Sequence, residues 1–270
     1  MNHLPDSPRK PLLIMADFFG GGSRPGGSST RQKLKALTAS VLRSRGEFRI
    51  AVFHAGPEEL FRIRRREVEE ISIPTSGKKT APGLPSPLLE TVLAFVDQLP
   101  PEGPEWILVA DAAGLVLRDP SHLLPEIAPG PYPAASVDFY WTPRRDHPAK
   151  PSAGLWAVRR HSFTRVLSAW HDYQAEVREK TPPHHAAKPG APDDLWSEFV
   201  NQLSLRKRPF EPGEVMAPAV DSMDWSAVRQ SCWVTIPDWP EEEQWTFLQS
   251  LYLGTWFGDC TGFMLDLLDA

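Results

Sequence analysis

The sequence predicts an α/β fold built on a mainly parallel sheet with helices on both faces. Three observations predict it. Short apolar runs alternate with helix-patterned segments across the first half of the chain, the order that parallel crossovers require. The run WILVAD at 106–111 is apolar up to its final acid, as a strand buried on both faces must be. With 270 residues, 41% of them hydrophobic, the chain can bury the large core that such a sheet needs.

Each element follows from local pattern. LLIMADF (12–18) starts as a strand and runs through Asp17 into a Gly-rich loop, GGGSRPGGSS. The segment STRQKLKALTASVLRS then carries Leu34, Leu37, Val41 and Leu42 at helical spacing. FRIAVFHAG (48–56) alternates and stops at glycine, VEEISIP (68–74) is a further strand, and SPLLETVLAFVDQL (86–99) is a helix entered at proline. After WILVAD, the segments ASVDFYWTP (135–143) and SAGLWAVRR (152–160) read as strands. HSFTRVLSAWHDYQAEVRE reads as a helix, and DDLWSEFVNQL (193–203) as another with an aspartate cap. The Trp-rich end predicts two helices, around 241–256 and 260–269. The expected organisation is a nucleotide-binding domain over 1–205 and a helical extension over 206–270 packed on it. In open α/β sheets ligands bind beyond the carboxyl ends of the strands, where Asp17 and Asp111 both fall.

Composition removes several classes of function. A formal charge of −5 and a pI near 5.9 give no global basic field to attract nucleic acid. Cys232 and Cys260 match no zinc or redox spacing and read as reduced small hydrophobes. The N-terminal MNHLPDSPRKPLLIMADFF has only the short apolar run LLIMA before an acid, so no secretory leader is expected. No stretch reaches the roughly 18 apolar residues of a membrane span, and a cytoplasmic location is the expectation. The 29 prolines concentrate in connections such as PGLPSPLL and TPPHHAAKPGAPDD, where they stiffen loops.

Three segments in order carry a resemblance. Asp111-Ala112-Ala113 ends the apolar strand and continues as GLVLRDPSHLL; Ser152-Ala153-Gly154 opens PSAGLWAVRR; Pro192-Asp193-Asp194 opens the helix APDDLWSEFV. Over roughly residues 12–203 the chain resembles the nucleotide-sugar glycosyltransferases of the GT-A class, particularly the glycogenin-like family. There the corresponding segments are Asp-x-Asp followed by a "VLRDLSPLF"-like strand, an Asn-(Ser/Ala)-Gly strand, and a "PDQ" helix start. The resemblance implies a Rossmann-like GT-A fold, a nucleotide-sugar donor (a UDP-sugar among the candidates), and a glycan, protein or small-molecule acceptor. It implies donor contacts at Asp17, Arg31, Asp111, Ala113, Ser152, Ala153 and Gly154, with Asp193 and Asp194 as the catalytic pair.

The chemistry behind Asp-x-Asp is neutralisation of a diphosphate leaving group by a divalent ion. Here the second acid is replaced by Ala113, and the family's later His-x-x-Gly-x-x-Lys pattern has no match, because residues 207–240 hold no histidine. The expectation is therefore no normal metal site and a degenerate Asp-x-Asp motif. Arginine, lysine or a helix N-terminus can meet the diphosphate instead, and Arg24, Arg31, Lys33 and the RIRRR run at 62–66 are the available cations.

Simpler roles compete at each position. Asp111 can cap its own turn, Asp119 can do the same, and either acid of the 193–194 pair can cap its helix. The Gly-rich loop is not a phosphate loop, because Ser28 stands where the Walker pattern needs lysine. RIRRR reads as a solvated face, His184-His185 lack spaced partner ligands, and Trp233, Trp239, Trp245 and Trp256 read as core or interface anchors before they read as a sugar groove. Two rival functions follow. One is a non-catalytic interaction protein on the same fold. The other is a phosphatase of the haloacid dehalogenase type with Asp111 as nucleophile, which lacks the second acid and the threonine that chemistry needs.

Overall fold

The computed structural model describes residues 10–17, 28–44, 47–56, 59–61, 68–73, 87–120, 123, 137–144, 147, 149–180, 192–211, 213–218, 225–236, 239–240 and parts of 243–251. Within these the elements run β1 (Leu12–Ala16), α1 (Ser28–Arg43), β2 (Arg49–Ala55), β3 (Val68–Ile73), α2 (Pro87–Asp97), β4 (Trp106–Asp111) and β5 (Gly114–Val116). They continue as β6 (Phe139–Pro143), β7 (Pro151–Arg159), α3 (Arg160–Lys180), α4 (Pro192–Gln202), β8 (Lys207–Pro209), β9 (Val215–Met216), α5 (Trp225–Gln230) and β10 (Trp233–Thr235).

A seven-stranded sheet has the order β3-β2-β1-β4-β7-β6-β8. The β3-β2-β1-β4 half is parallel. β7 runs antiparallel to both β4 and β6, and β8 returns parallel to β6. The fold is α/β, a mainly parallel sheet with helices on its two faces.

The strands alternate between two cores. Leu13 and Met15 of β1 and Leu108 and Ala110 of β4 face α1, where Leu34, Leu37 and Val41 repeat at helical spacing. Leu12, Ile14, Ile107 and Val109 face the other way, against α2, α3 and α4. That second core is dense in aromatic rings. Trp196 of α4 lies 5.2 Å from Trp156 of β7 and meets Trp170 of α3 edge-on at 5.1 Å between centroids, a geometry that adds to the burial of both rings.

The C-terminal third contributes strands as well as helices. β8 extends the main sheet, while β5, β10 and β9 form a second, three-stranded sheet. This small sheet packs with Ala36 and Ala39 of α1 and with Phe247, Leu248 and Leu251 in a third apolar cluster. Strand pairing therefore crosses position 205, joining 207–209 to β6 and 233–235 to β5. Trp233 is fully buried, and Trp239 packs on Phe247 at 4.7 Å with its indole N–H donating to Pro218 O. Trp245, Trp256 and 260–269 lie outside the described residues. No helix among the described residues is long and apolar enough to cross a membrane.

Trp196→Ala removes the ring that joins α4 to both α3 and the sheet. It should lower unfolding stability by about 3–5 kcal/mol, read from urea denaturation.

Candidate functional site

Topology gathers the residues of interest at one edge. β1 and β4 end there side by side, with Ala16 opposite Asp111 and the Ala112 amide donating to Ala16 O at 2.9 Å. Because β7 is antiparallel to β4, its first residues lie at the same edge. Ala110 pairs with Leu155 as the last pair of this ladder, so Asp111 and Gly154 each lie one residue beyond it. The pairing of β6 with β7 jumps here: Trp141 faces Trp156, but Thr142 faces Ser152. The Ala153–Leu155 stretch is thus looped out, a bulge that re-aims the strand where it meets the site.

Asp111 is buried, 3% exposed, and its Oδ2 accepts the Ala113 amide at 2.9 Å. The carboxylate therefore caps the turn that launches β5, as aspartate commonly does. Ala113 is buried too, and its carbonyl accepts the Ile236 amide at 2.8 Å. That bond brings the end of β10 across the edge.

The Ser152–Gly154 stretch is sealed from above. Ser152 and Ala153 are fully buried, and a Cβ placed on Gly154 would come within 1.6 Å of Thr235 Oγ1 and 2.5 Å of Thr235 Cβ. Glycine is required at 154 because the Thr235 side chain fills the space above its Cα. The Thr235 hydroxyl is itself buried and has no hydrogen-bond partner among the described residues, an arrangement with a desolvation cost.

The remaining predicted residues divide around this centre. Asp17 Oδ2 accepts the Thr30 hydroxyl at 2.9 Å, tying the end of β1 to the first turn of α1. Arg31 turns toward β2 and donates to Glu59 O at 3.0 Å. Lys33 is buried, 3% exposed, and donates to Gln244 Oε1 at 2.8 Å. Asp194 pairs with Arg144 at 3.2 Å and Lys150 at 3.8 Å, both from the β6–β7 connection. The backbone of Asp193 begins α4, but its side chain, Arg24, the Gly-rich loop up to residue 27, RIRRR and His184-His185 lie outside the described residues.

Two titrating groups nearby are displaced by burial. His54, at the end of β2, is held below the ordinary 6.5 chiefly by desolvation, against the pull of Glu70 and with a further push from Arg31. Its Nε2 stands 3.7 Å from Glu70 Oε2. Burial raises the Cys232 thiol to about 12, so it stays protonated and unreactive.

Among the described residues, the groups at this edge do not fit the divalent ion that an Asp-x-Asp pair holds. Ala113 offers no side-chain oxygen, one Asp111 oxygen is committed to an amide, and Thr235 occupies the volume above Gly154. Hard cations need several oxygen ligands, and among the described residues no cluster of three or more His, Cys, Asp or Glu side chains could hold one.

Sequence reasoning missed Thr235, Arg144 and Lys150. The basic run in TPRRDHPAK, lying between two predicted strands, would have placed the last two at a sheet edge. For Thr235 the signal was only WVTI, four strand-forming residues before a proline.

No known family's sequence profile matches the chain, and no curated protein matches it. Solved structures are similar in fold. The glycosyltransferase GlyE of Streptococcus pneumoniae TIGR4 superposes with a TM-score of 0.52 at 10% identity, covering 92% of this chain and 64% of that one. Galactosyltransferase LgtC, crystallised with donor and acceptor sugar analogs, gives a TM-score of 0.49 at 12% identity, covering 88% of this chain and 95% of that one. A glycosyltransferase involved in glycosylation of the major capsid of PBCV-1 also gives 0.49 at 12% identity, with 89% and 99% covered.

Two predictions follow from the packing and the buried histidine. Gly154→Ala should destabilise the protein by about 1–3 kcal/mol or more through overpacking. Adding Thr235→Gly should return most of that loss, a coupling read by a double-mutant cycle in urea. For His54, the folded value lies below the unfolded 6.5, so the unfolded chain binds the proton more readily. Its contribution is fully present above that unfolded value and is lost as pH falls toward the folded one. The urea midpoint of the native protein should therefore drop more between about pH 7.5 and about pH 5 than that of His54→Phe.

Proposed function

We propose that the carboxyl edge of the sheet binds a nucleotide-sugar donor and passes its sugar to an acceptor, with the chain's own cations, and no divalent ion, facing the diphosphate. The observation that carries this reading is the convergence of Asp111, Gly154 and the α1 start at one strand edge of a GT-A-class sheet. That edge is where such sheets place ligands. The missing second acid and the donor set around Asp111 support transfer without metal.

In this reading Asp111 orients ribose or sugar hydroxyls, and Asp17 stands next to it at the end of β1. Asp193 contacts donor hydroxyls at the start of α4, while Asp194 is steadied by Arg144 and Lys150. The leaving nucleoside diphosphate gains negative charge as the glycosidic bond breaks, so fixed positive charge at its oxygens lowers the barrier. Aligning acceptor and donor supplies the rest. The acceptor is a glycan, a protein or a small molecule.

One observation favours a second reading, a non-catalytic interaction protein on the same scaffold. Thr235 closes the face of Gly154, the face a sugar would approach. Calorimetric titration with UDP, GDP and UDP-sugars, in magnesium or manganese and again in chelator, separates the two. The transferase reading expects a nucleotide diphosphate to bind equally well in chelator, and Asp111→Asn to weaken it about tenfold, roughly 1.4 kcal/mol. No binding under either condition favours the interaction protein, and binding only with metal refutes the metal-free site.

A further inference from the structure

Lys33 is the unusual group at this edge. It is a fully buried ammonium whose one polar partner among the described residues is the neutral amide of Gln244, at 2.8 Å. Burying a charge without a counter-charge is expensive, and an apolar residue on the same helix face would be more stable. The neighbours on that face are apolar or small: Ala36 and Ala39 pack with Ala113 and Leu115, and Ser40 Oγ accepts the Val116 amide at 3.0 Å. Lys33 lies one turn nearer the carboxyl edge on this face of α1.

A short chain of hydrogen bonds fixes where its charge lies. Lys33 Nζ donates to Gln244 Oε1, Gln244 Nε2 donates to Ile236 O at 3.2 Å, and the Ile236 amide donates to Ala113 O at 2.8 Å. The residue before Ile236 is Thr235, whose buried hydroxyl has no partner among the described residues. Thus a buried cation stands within three hydrogen bonds of the position where an acid would complete Asp-x-Asp. Ala113 offers no anion there, and the chain carries a cation of its own.

We infer that Lys33 is the anion-binding charge of this edge, meeting the diphosphate of the donor, with Gln244 as the neutral group an incoming phosphate oxygen displaces. This rests on the donor-site reading above and, among the described residues, favours Lys33 over Arg31, Arg144 and Lys150. Arg31 is committed to Glu59 O on the β2 side, and Arg144 and Lys150 are paired with Asp194. Lysine suits the role because its ammonium is a compact point charge that replaces an ion's field without a fixed ligand geometry.

Three proteins are compared in chelator: native, Lys33→Met and Gln244→Glu. Met keeps the length of the stem without its charge, and Glu gives Lys33 an internal anion that competes with a ligand. The probes are inorganic pyrophosphate and a panel of UDP, GDP, CDP and dTDP, by calorimetry, with urea midpoints for all three proteins. The expected result is pyrophosphate and nucleotide binding to the native protein, weakened about tenfold or more in both variants. Both variants should also unfold at or above the native urea midpoint, because each relieves a buried unpaired charge. Nucleotide binding unchanged in both variants overturns the role of Lys33 and leaves the donor site standing. Pyrophosphate binding that needs Lys33, with no nucleotide bound, upholds Lys33 and overturns the donor reading. No binding of either probe to the native protein overturns both.

Discussion

The arrangement depends on the position of β4, held between a parallel neighbour, β1, and an antiparallel one, β7. That reversal is a constraint on direction. A wholly parallel sheet would bring only strand ends to its functional edge, whereas here strand ends from β1 and β4 meet a strand start from β7. Asp111 and Gly154 become neighbours although 43 positions apart in sequence (154 minus 111). The strand that permits this must be apolar on both faces, and β4 is buried along its whole length.

In the proposed reading, the electrostatics around that junction differ in kind from those of an Asp-x-Asp centre. An Asp-x-Asp centre concentrates negative charge and recruits a cation from solution. Here Ala113 removes one carboxylate, Asp111 turns an oxygen to an amide, and β10 lays Thr235 over Gly154. The counterpart is a lysine buried on α1 and held by a glutamine from the C-terminal segment. A resident ammonium needs no metal-binding step but carries a standing desolvation cost. Retaining such a group where an apolar side chain would pack suits a functional role better than a structural one. The same C-terminal segment also covers the sheet edge, so in the proposed reading donor access is coupled to C-terminal packing.

Much of the fold was legible in the sequence because its long elements repeat one period over many residues. β1 to β4, β6, β7 and α1 to α4 fall where apolar runs, alternation and helical spacing set them, within a few residues at each end, whereas the short β5 came only with the resemblance. The C-terminal third read as helical because its strands are two or three residues long and bounded by proline or turn residues. They exist through their partners β5 and β6, and no local pattern reports such pairing. At the site, Asp111 was visible as an acid at the end of an apolar run, and its turn-capping bond to Ala113 was one of the roles foreseen. Gly154 was visible as a glycine but not its reason, since Thr235 lies 81 positions away (235 minus 154). The Lys33–Gln244 bond spans 211 positions, and neither residue type marks a partner in advance.

The central claim is that this strand edge meets its ligand with protein charge and not with a bound ion. Manganese titrated into isotope-labelled protein, with pyrophosphate present, tests it most directly through paramagnetic broadening of assigned amide resonances. Resonances of Asp111 to Gly114, Gly154 and Thr235 should broaden no more than those of exposed acidic residues elsewhere. Selective loss of signal centred on Asp111 at low manganese would show a metal bound at the edge and contradict the claim.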